Sequence, residues 1–156
     1  QVASALDLKI KIEAGLGEYI ESRRAHGSPE LLSRSQVNHQ FSCIDQQYDG
    51  LVFPQYPETA QKLRQRSQRT MQALLQNYEG ALLLIGHAAT IRELALSLAP
   101  HAIHRDSPLC GLTELVCHHD RWTIKIQRDS SHIGHPPLRI VDFLKYRSHR
   151  LFSCDL

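Results

Sequence analysis

The stretch ALLLIGHAATIREL, residues 81–94, constrains the fold of this chain more than any other. Ala81 to Ile85 form a short continuous apolar run that stops at Gly86. Such a run, with no polar alternation, fits a central strand covered on both faces, as in parallel sheets. His87 and two alanines follow, then Thr90 and Glu93 in T-x-x-E spacing, which predicts a capping box and a helix starting at about Thr90. Ile91, Leu94, Ala95 and Leu98 supply its apolar face, and Pro100 marks its end. His87 then lies just beyond the carboxyl end of a strand, where open α/β sheets place their ligands. The first N–H groups of the helix face the same crevice, so an anion, phosphate above all, is well held there. Ala88 and Ala89 are small enough to let it approach the backbone, and Arg92 is close enough to touch it.

The rest of the chain supports an α/β layered domain. Val2 to Leu6 reads as the last turn of a helix, as if the chain opened partway along one. Leu8, Ile10 and Ile12 alternate with Lys9, Lys11 and Glu13, the period-2 signature of a half-buried strand. Residues 15–41 carry glycines, a proline and short helical patches, and read as a partly helical excursion from the sheet. A helix is expected from Pro57, with Ala60, Leu63, Ser67, Met71, Leu74 and Tyr78 on one face and Gly80 after its end. Two strands joined by a tight turn near His119–Asp120 are expected in residues 111–129. The order predicts a three-layer α/β/α domain with a mainly parallel sheet over residues 1–140, and an irregular tail over 141–156.

Composition excludes several classes. The 156 residues suffice for one domain with its own core. A net charge of +2, from basic residues scattered over helices, argues against a nucleic-acid partner. No apolar run approaches the roughly 20 residues of a membrane span, and no signal-peptide pattern opens the chain. Cys43, Cys110, Cys117 and Cys154 show no C-x-x-C spacing and read as reduced, buried thiols of a cytoplasmic protein.

Glu18 is a second candidate, since it follows a strand end through a Gly-Leu-Gly turn and can reach the same sheet edge as His87. Other clusters read as turns and loops. His132 with His135, His101 with His104, and the stretch Cys117–Asp120 lack ligand spacing with a supporting carboxylate or thiolate, so no metal is expected. Arg64, Arg66 and Arg69 read as a solvated helix face.

These motifs resemble a known family. IKIEAGLGEYIE, residues 10–21, resembles the segment after the second strand of histidine phosphatases, the phosphoglycerate-mutase-like superfamily. ALLLIGHAATIREL resembles that superfamily's second-histidine motif. Between them, S-P-E-x-L, I-D-x-x-Y and Y-P-E-T occur in the order seen in the suppressor-of-T-cell-receptor-signalling and ecdysteroid-phosphate phosphatases. SPLCGLTEL, residues 107–115, is similar to the strand that this branch places after its second-histidine helix. The resemblance runs from Gln1 to Trp122.

The resemblance implies phosphomonoester hydrolysis through a phosphohistidine. By motif position Glu18 matches the acid that protonates the leaving alcohol, and His87 matches the second histidine, which holds the transferring phosphate. By their place beside His87, and not by the resemblance, Ala88 and Arg92 are expected to join it in binding phosphate. The implied partner is a phosphorylated substrate, either a phosphoprotein or a small phosphate ester, and the implied assembly a homodimer; no cofactor is implied. The family's nucleophile stands in an Arg-His-Gly motif, and this sequence has no such tripeptide. RRAHGS, residues 23–28, comes near it but carries an extra Ala25 and follows Glu18 instead of preceding it. The expectation is therefore a fragment that supplies acid and second histidine and is inactive alone. The alternative is a truncated, non-catalytic phosphatase-like domain with an interaction role.

Overall fold

The computed structural model describes residues 2–21, 32, 34–101 and 107–133. In chain order these hold α1 (Val2–Ala5), a 3-10 turn (Ala14–Leu16), α2 (Arg34–Gln40), α3 (Ala60–Asn77) and α4 (Ala88–Leu98). Strands β1 (Leu112–His118) and β2 (Arg121–Asp129) follow, then a second 3-10 turn (Ser131–Ile133). The RRAHGS stretch, His104, His135, Cys154 and the tail over 141–156 lie outside the described residues.

Helices α3 and α4 pack on one another and supply most of the core. Leu63, Ser67, Met71 and Leu74 are buried on α3, the face that its 3.6-residue period marks out. Leu94 and Ala95 of α4 are buried against them. Both helix starts differ from expectation. Thr59, not a residue before Pro57, caps α3, and its Oγ1 accepts the Lys62 N–H at 3.2 Å. Glu58 is consequently outside the helix and is buried in an ion pair rather than placed against the dipole.

The N-cap of helix α4 is His87, three residues before the expected cap at Thr90. Thr90 is fully buried inside the first turn, and its hydroxyl donates to the Gly17 carbonyl instead of capping its own helix. Glu93 pairs with Arg92 and Arg64 and does not reach back to the cap. The helix starts early enough to put Thr90 inside its first turn, where the hydroxyl ties α4 to a distant loop instead of standing at the helix end.

The hairpin matches its sequence signal. β1 and β2 pair antiparallel, with His118 opposite Arg121, and His119 and Asp120 take φ of 50° and 60° in the connecting turn. Left-handed conformation at both central residues is what a two-residue turn needs to follow the strand twist. Register shifts opposite residues 112–115 each place one extra residue on β2, between Ile124 and Asp129, where Arg128 takes φ of 55°.

The parallel sheet is not present among the described residues, whose single sheet is this two-stranded hairpin. Residues 81–86 lack strand pairing, and Leu83 and Ile85 are 57% and 71% exposed where a covered strand was expected. Leu8, Ile10 and Ile12 are likewise exposed, and the buried residue at this end is Glu13. An apolar run becomes a central strand only when neighbours cover both its edges and faces, and the described residues provide none for 81–86. Parallel pairing survives as two isolated bridges, Ile10 with Ile44 and Glu21 with Glu58. Cys110 and Cys117 are also exposed, contrary to the expectation of buried thiols: Cys110 lies in the turn before β1 and Cys117 beside the hairpin's own turn.

Candidate functional site

The loop from Glu13 to Glu18 is fixed from three directions. The Glu13 carboxylate is buried and caps the 3-10 turn by accepting the Gly15 N–H at 2.9 Å. It also accepts the Leu51 and Val52 N–H groups at 2.7 and 3.0 Å and the Tyr48 hydroxyl. Burial, reinforced by Glu13, pushes the Tyr48 phenol well above the ordinary tyrosine range.

From the second direction comes Arg66. Its guanidinium is 1% exposed and forks onto Glu58, with Nε to Oε1 at 2.8 Å and Nη2 to Oε2 at 2.7 Å. The same group donates to the carbonyls of Gly15 at 2.7 Å, Gly17 at 3.2 Å and Glu18 at 3.4 Å. The expectation of a solvated Arg66 is thus corrected: neutralised by Glu58, the cation sits in the core because the loop's carbonyls use its remaining donors. The third direction is α4, through the 2.7 Å bond from Thr90 Oγ1 to the Gly17 carbonyl.

Such close approach explains the Gly-Leu-Gly pattern. A Cβ on Gly15 would lie 2.2 Å from Thr70 Oγ1, and one on Gly17 would lie 2.8 Å from the Tyr56 hydroxyl. Tyr56 in turn donates to the Glu18 carbonyl at 2.9 Å. Burial raises the Tyr56 phenol; Arg66 pulls it down, while Glu58 and Glu18 push it further up.

With both backbones held, the side chains of Glu18 and His87 meet. Glu18 Oε2 lies 2.8 Å from His87 Nδ1, with the side chains 47% and 57% exposed. The two candidates therefore form one site. Glu18 Oε1 accepts the Tyr19 N–H at 2.8 Å. When both ring nitrogens carry a proton, Nδ1–H donates to Glu18 and Nε2–H is left to donate to an anion. His87 makes no side-chain capping bond to α4. Ala88 is the first residue of that helix. Arg92, one turn on, is part-exposed and donates to Glu93 Oε1 at 2.8 Å.

Two open grooves, of about 560 Å³ between the end of α4 and β2 and about 510 Å³ beside α3, have neither Glu18 nor His87 in their walls. Among the described residues no three His, Cys, Asp or Glu side chains come together as a metal site. None of the described helices is long and apolar enough to cross a membrane.

Glu13, Arg66 and Thr90 are the residues that sequence reasoning missed. Arg66 does fall on the buried stripe of α3, one turn from Leu63 and Thr70, and a charge on an apolar stripe is the signal that marks it.

A family model described as histidine phosphatase superfamily (branch 1) matches residues 1–130. No curated protein and no solved structure matches this chain.

Proposed function

This chain belongs to branch 1 of the histidine phosphatase superfamily, a membership that suggests phosphoester hydrolysis, and on that premise we propose that Glu18 and His87 are the acid and the second histidine of a phosphomonoesterase site. The observation that carries the reading is their contact, 2.8 Å between Oε2 and Nδ1 at the start of α4.

In the proposed reaction a nucleophilic histidine attacks phosphorus while the bond to the leaving oxygen breaks. Glu18 gives that oxygen its proton, and the phosphoryl group remains on the nucleophile. Water then attacks, the Glu18 carboxylate takes the water's proton, and inorganic phosphate departs with the histidine restored. His87 Nε2 and the first N–H groups of α4, beginning at Ala88, hold the equatorial oxygens, with Arg92 beside them. Both Glu18 oxygens accept hydrogen bonds here. One of those bonds must open for the carboxyl group to present a proton to substrate.

The reading places the nucleophile outside these 156 residues, which contain no Arg-His-Gly tripeptide. It also places the chain in a three-layer α/β/α domain with a parallel sheet. Exposed Leu8, Ile10, Ile12, Leu82, Leu83 and Ile85 support this, being apolar surface suited to strand neighbours. The order of the motifs supports the suppressor-of-T-cell-receptor-signalling and ecdysteroid-phosphate branch, with a phosphotyrosine protein or a small phosphate ester as substrate. A homodimer belongs to the same proposal, and cysteine spacing favours the cytoplasm.

The test is hydrolysis of an aryl phosphate. The 156-residue chain alone is expected to show no turnover, and a chain that includes an Arg-His-Gly segment is expected to show it. Robust hydrolysis by the shorter chain, lost in His87→Ala, would overturn the external nucleophile. A second reading, a non-catalytic phosphatase-like domain with an interaction role, rests on the missing tripeptide. Turnover by the longer chain excludes it.

A further inference from the structure

We propose that Thr90 and Arg66 are positioning residues, which set the Glu18–His87 geometry by gripping the carbonyls of the Gly15–Glu18 turn. The proposal rests on the reading of Glu18 and His87 as the working pair and concerns what holds them in register.

Both side chains are about half exposed, so packing does not fix them. Their relative position is inherited from two backbones, the turn after Glu13 and the first turn of α4. Thr90 joins those backbones directly. It stands three residues after His87 on α4, and its hydroxyl donates at 2.7 Å to Gly17, the neighbour of Glu18. Arg66 fixes the same turn to α3 through the Gly15, Gly17 and Glu18 carbonyls. Glu58 holds the guanidinium plane in place by its two-point contact. Arg66 is sealed from solvent, so it acts through Glu18 and not on a phosphate. A lysine lacks the planar fork and cannot serve Glu58 and all of these carbonyls together.

Thr90→Val is a clean probe. It keeps the shape and removes the donor, and the Gly17 carbonyl keeps Arg66 as a partner at 3.2 Å, so no buried acceptor is orphaned. Thr90→Ser keeps the donor. Arg66→Lys keeps the charge opposite Glu58 and loses the fork.

The test uses the 156-residue chain and the nuclear Overhauser contact between the Glu18 side chain and the His87 ring protons. The amide shifts of residues 74–77 in α3 and 95–98 in α4, the packed helices that carry the core, serve as a control of folding. The contact is expected in the parent and in Thr90→Ser, and several-fold weaker in Thr90→Val and Arg66→Lys, with those helix shifts unchanged. An undiminished contact in Thr90→Val overturns the role of Thr90, as does an equal loss in Thr90→Ser. A loss in Thr90→Val that spreads to those helix ends makes Thr90 a folding residue and also overturns it. For Arg66 the undiminished contact in Arg66→Lys, or a loss that reaches the same helix ends, is the contrary result. No turnover is measured, so these outcomes are separate from the phosphatase reading. Phosphatase activity that survives loss of Glu18 and His87 would sink that reading and leave the geometric result standing.

Discussion

The carboxylate of Glu18 and the imidazole of His87, 69 positions apart in the sequence, stand 2.8 Å from one another at the N-terminus of α4. Under the proposed function Glu18 is the general acid, and such a group matters most when the leaving group is poor. In a chain that includes an Arg-His-Gly segment, Glu18→Gln is expected to lower kcat/KM, which reports the phosphoryl-transfer step, about 10²–10⁴-fold for an alkyl phosphate. It is expected to lower kcat/KM far less for a nitrophenyl phosphate, whose phenolate leaves without help. His87→Ala is expected to impair both alike. Steady-state kinetics with the two esters checks this; equal losses on Glu18→Gln would remove the acid role.

The Arg66–Glu58 pair is buried and joined at two points, so breaking it is expected to be costly. Arg66→Met strands a carboxylate that is 2% exposed and is expected to cost about 3–5 kcal/mol. Arg66→Met with Glu58→Leu removes both charges and is expected to recover part of that loss, though the loop carbonyls lose their donor. Urea unfolding of the two variants measures the difference.

Gly15 is expected to tolerate no side chain while Thr70 is present. Gly15→Ala puts a methyl group 2.2 Å from Thr70 Oγ1 and is expected to cost about 1–3 kcal/mol. Thr70→Ala in the same chain is expected to restore much of it, so the pair is non-additive in a double-mutant cycle.

Tyr48 ties alkaline stability to the loop. Its folded pKa lies above the unfolded value of about 10. Between those two values the folded state binds more protons than the unfolded state, so stability falls as pH rises. The contribution is complete below about pH 10 and is lost above it. Melting temperatures from pH 8 to 11 are expected to fall less steeply for Tyr48→Phe than for the parent.

How much was legible follows from what each element depends on. The hairpin and the buried faces of α3 and α4 were readable because period and turn chemistry are local. Glu18 and His87 were readable as two separate candidates. Their contact was not, since it depends on bonds from Arg66 and Thr90 to main-chain carbonyls 51 and 73 residues away, which leave no mark on a side-chain pattern. The capping box misled for the same reason: Thr90 has the right neighbours for a cap but lies inside the helix, where its hydroxyl donates to a carbonyl of a distant loop. The parallel sheet was read from apolar runs alone, and a run such as Leu82–Ile85 needs neighbours to become a covered strand.

The most direct test is alkyl-phosphate hydrolysis by a chain carrying an Arg-His-Gly segment upstream of Gln1, compared with its Glu18→Ala and His87→Ala variants. Glu18 and His87 as working residues require that both substitutions depress turnover while the fold is retained. Activity that survives both would contradict the assignment.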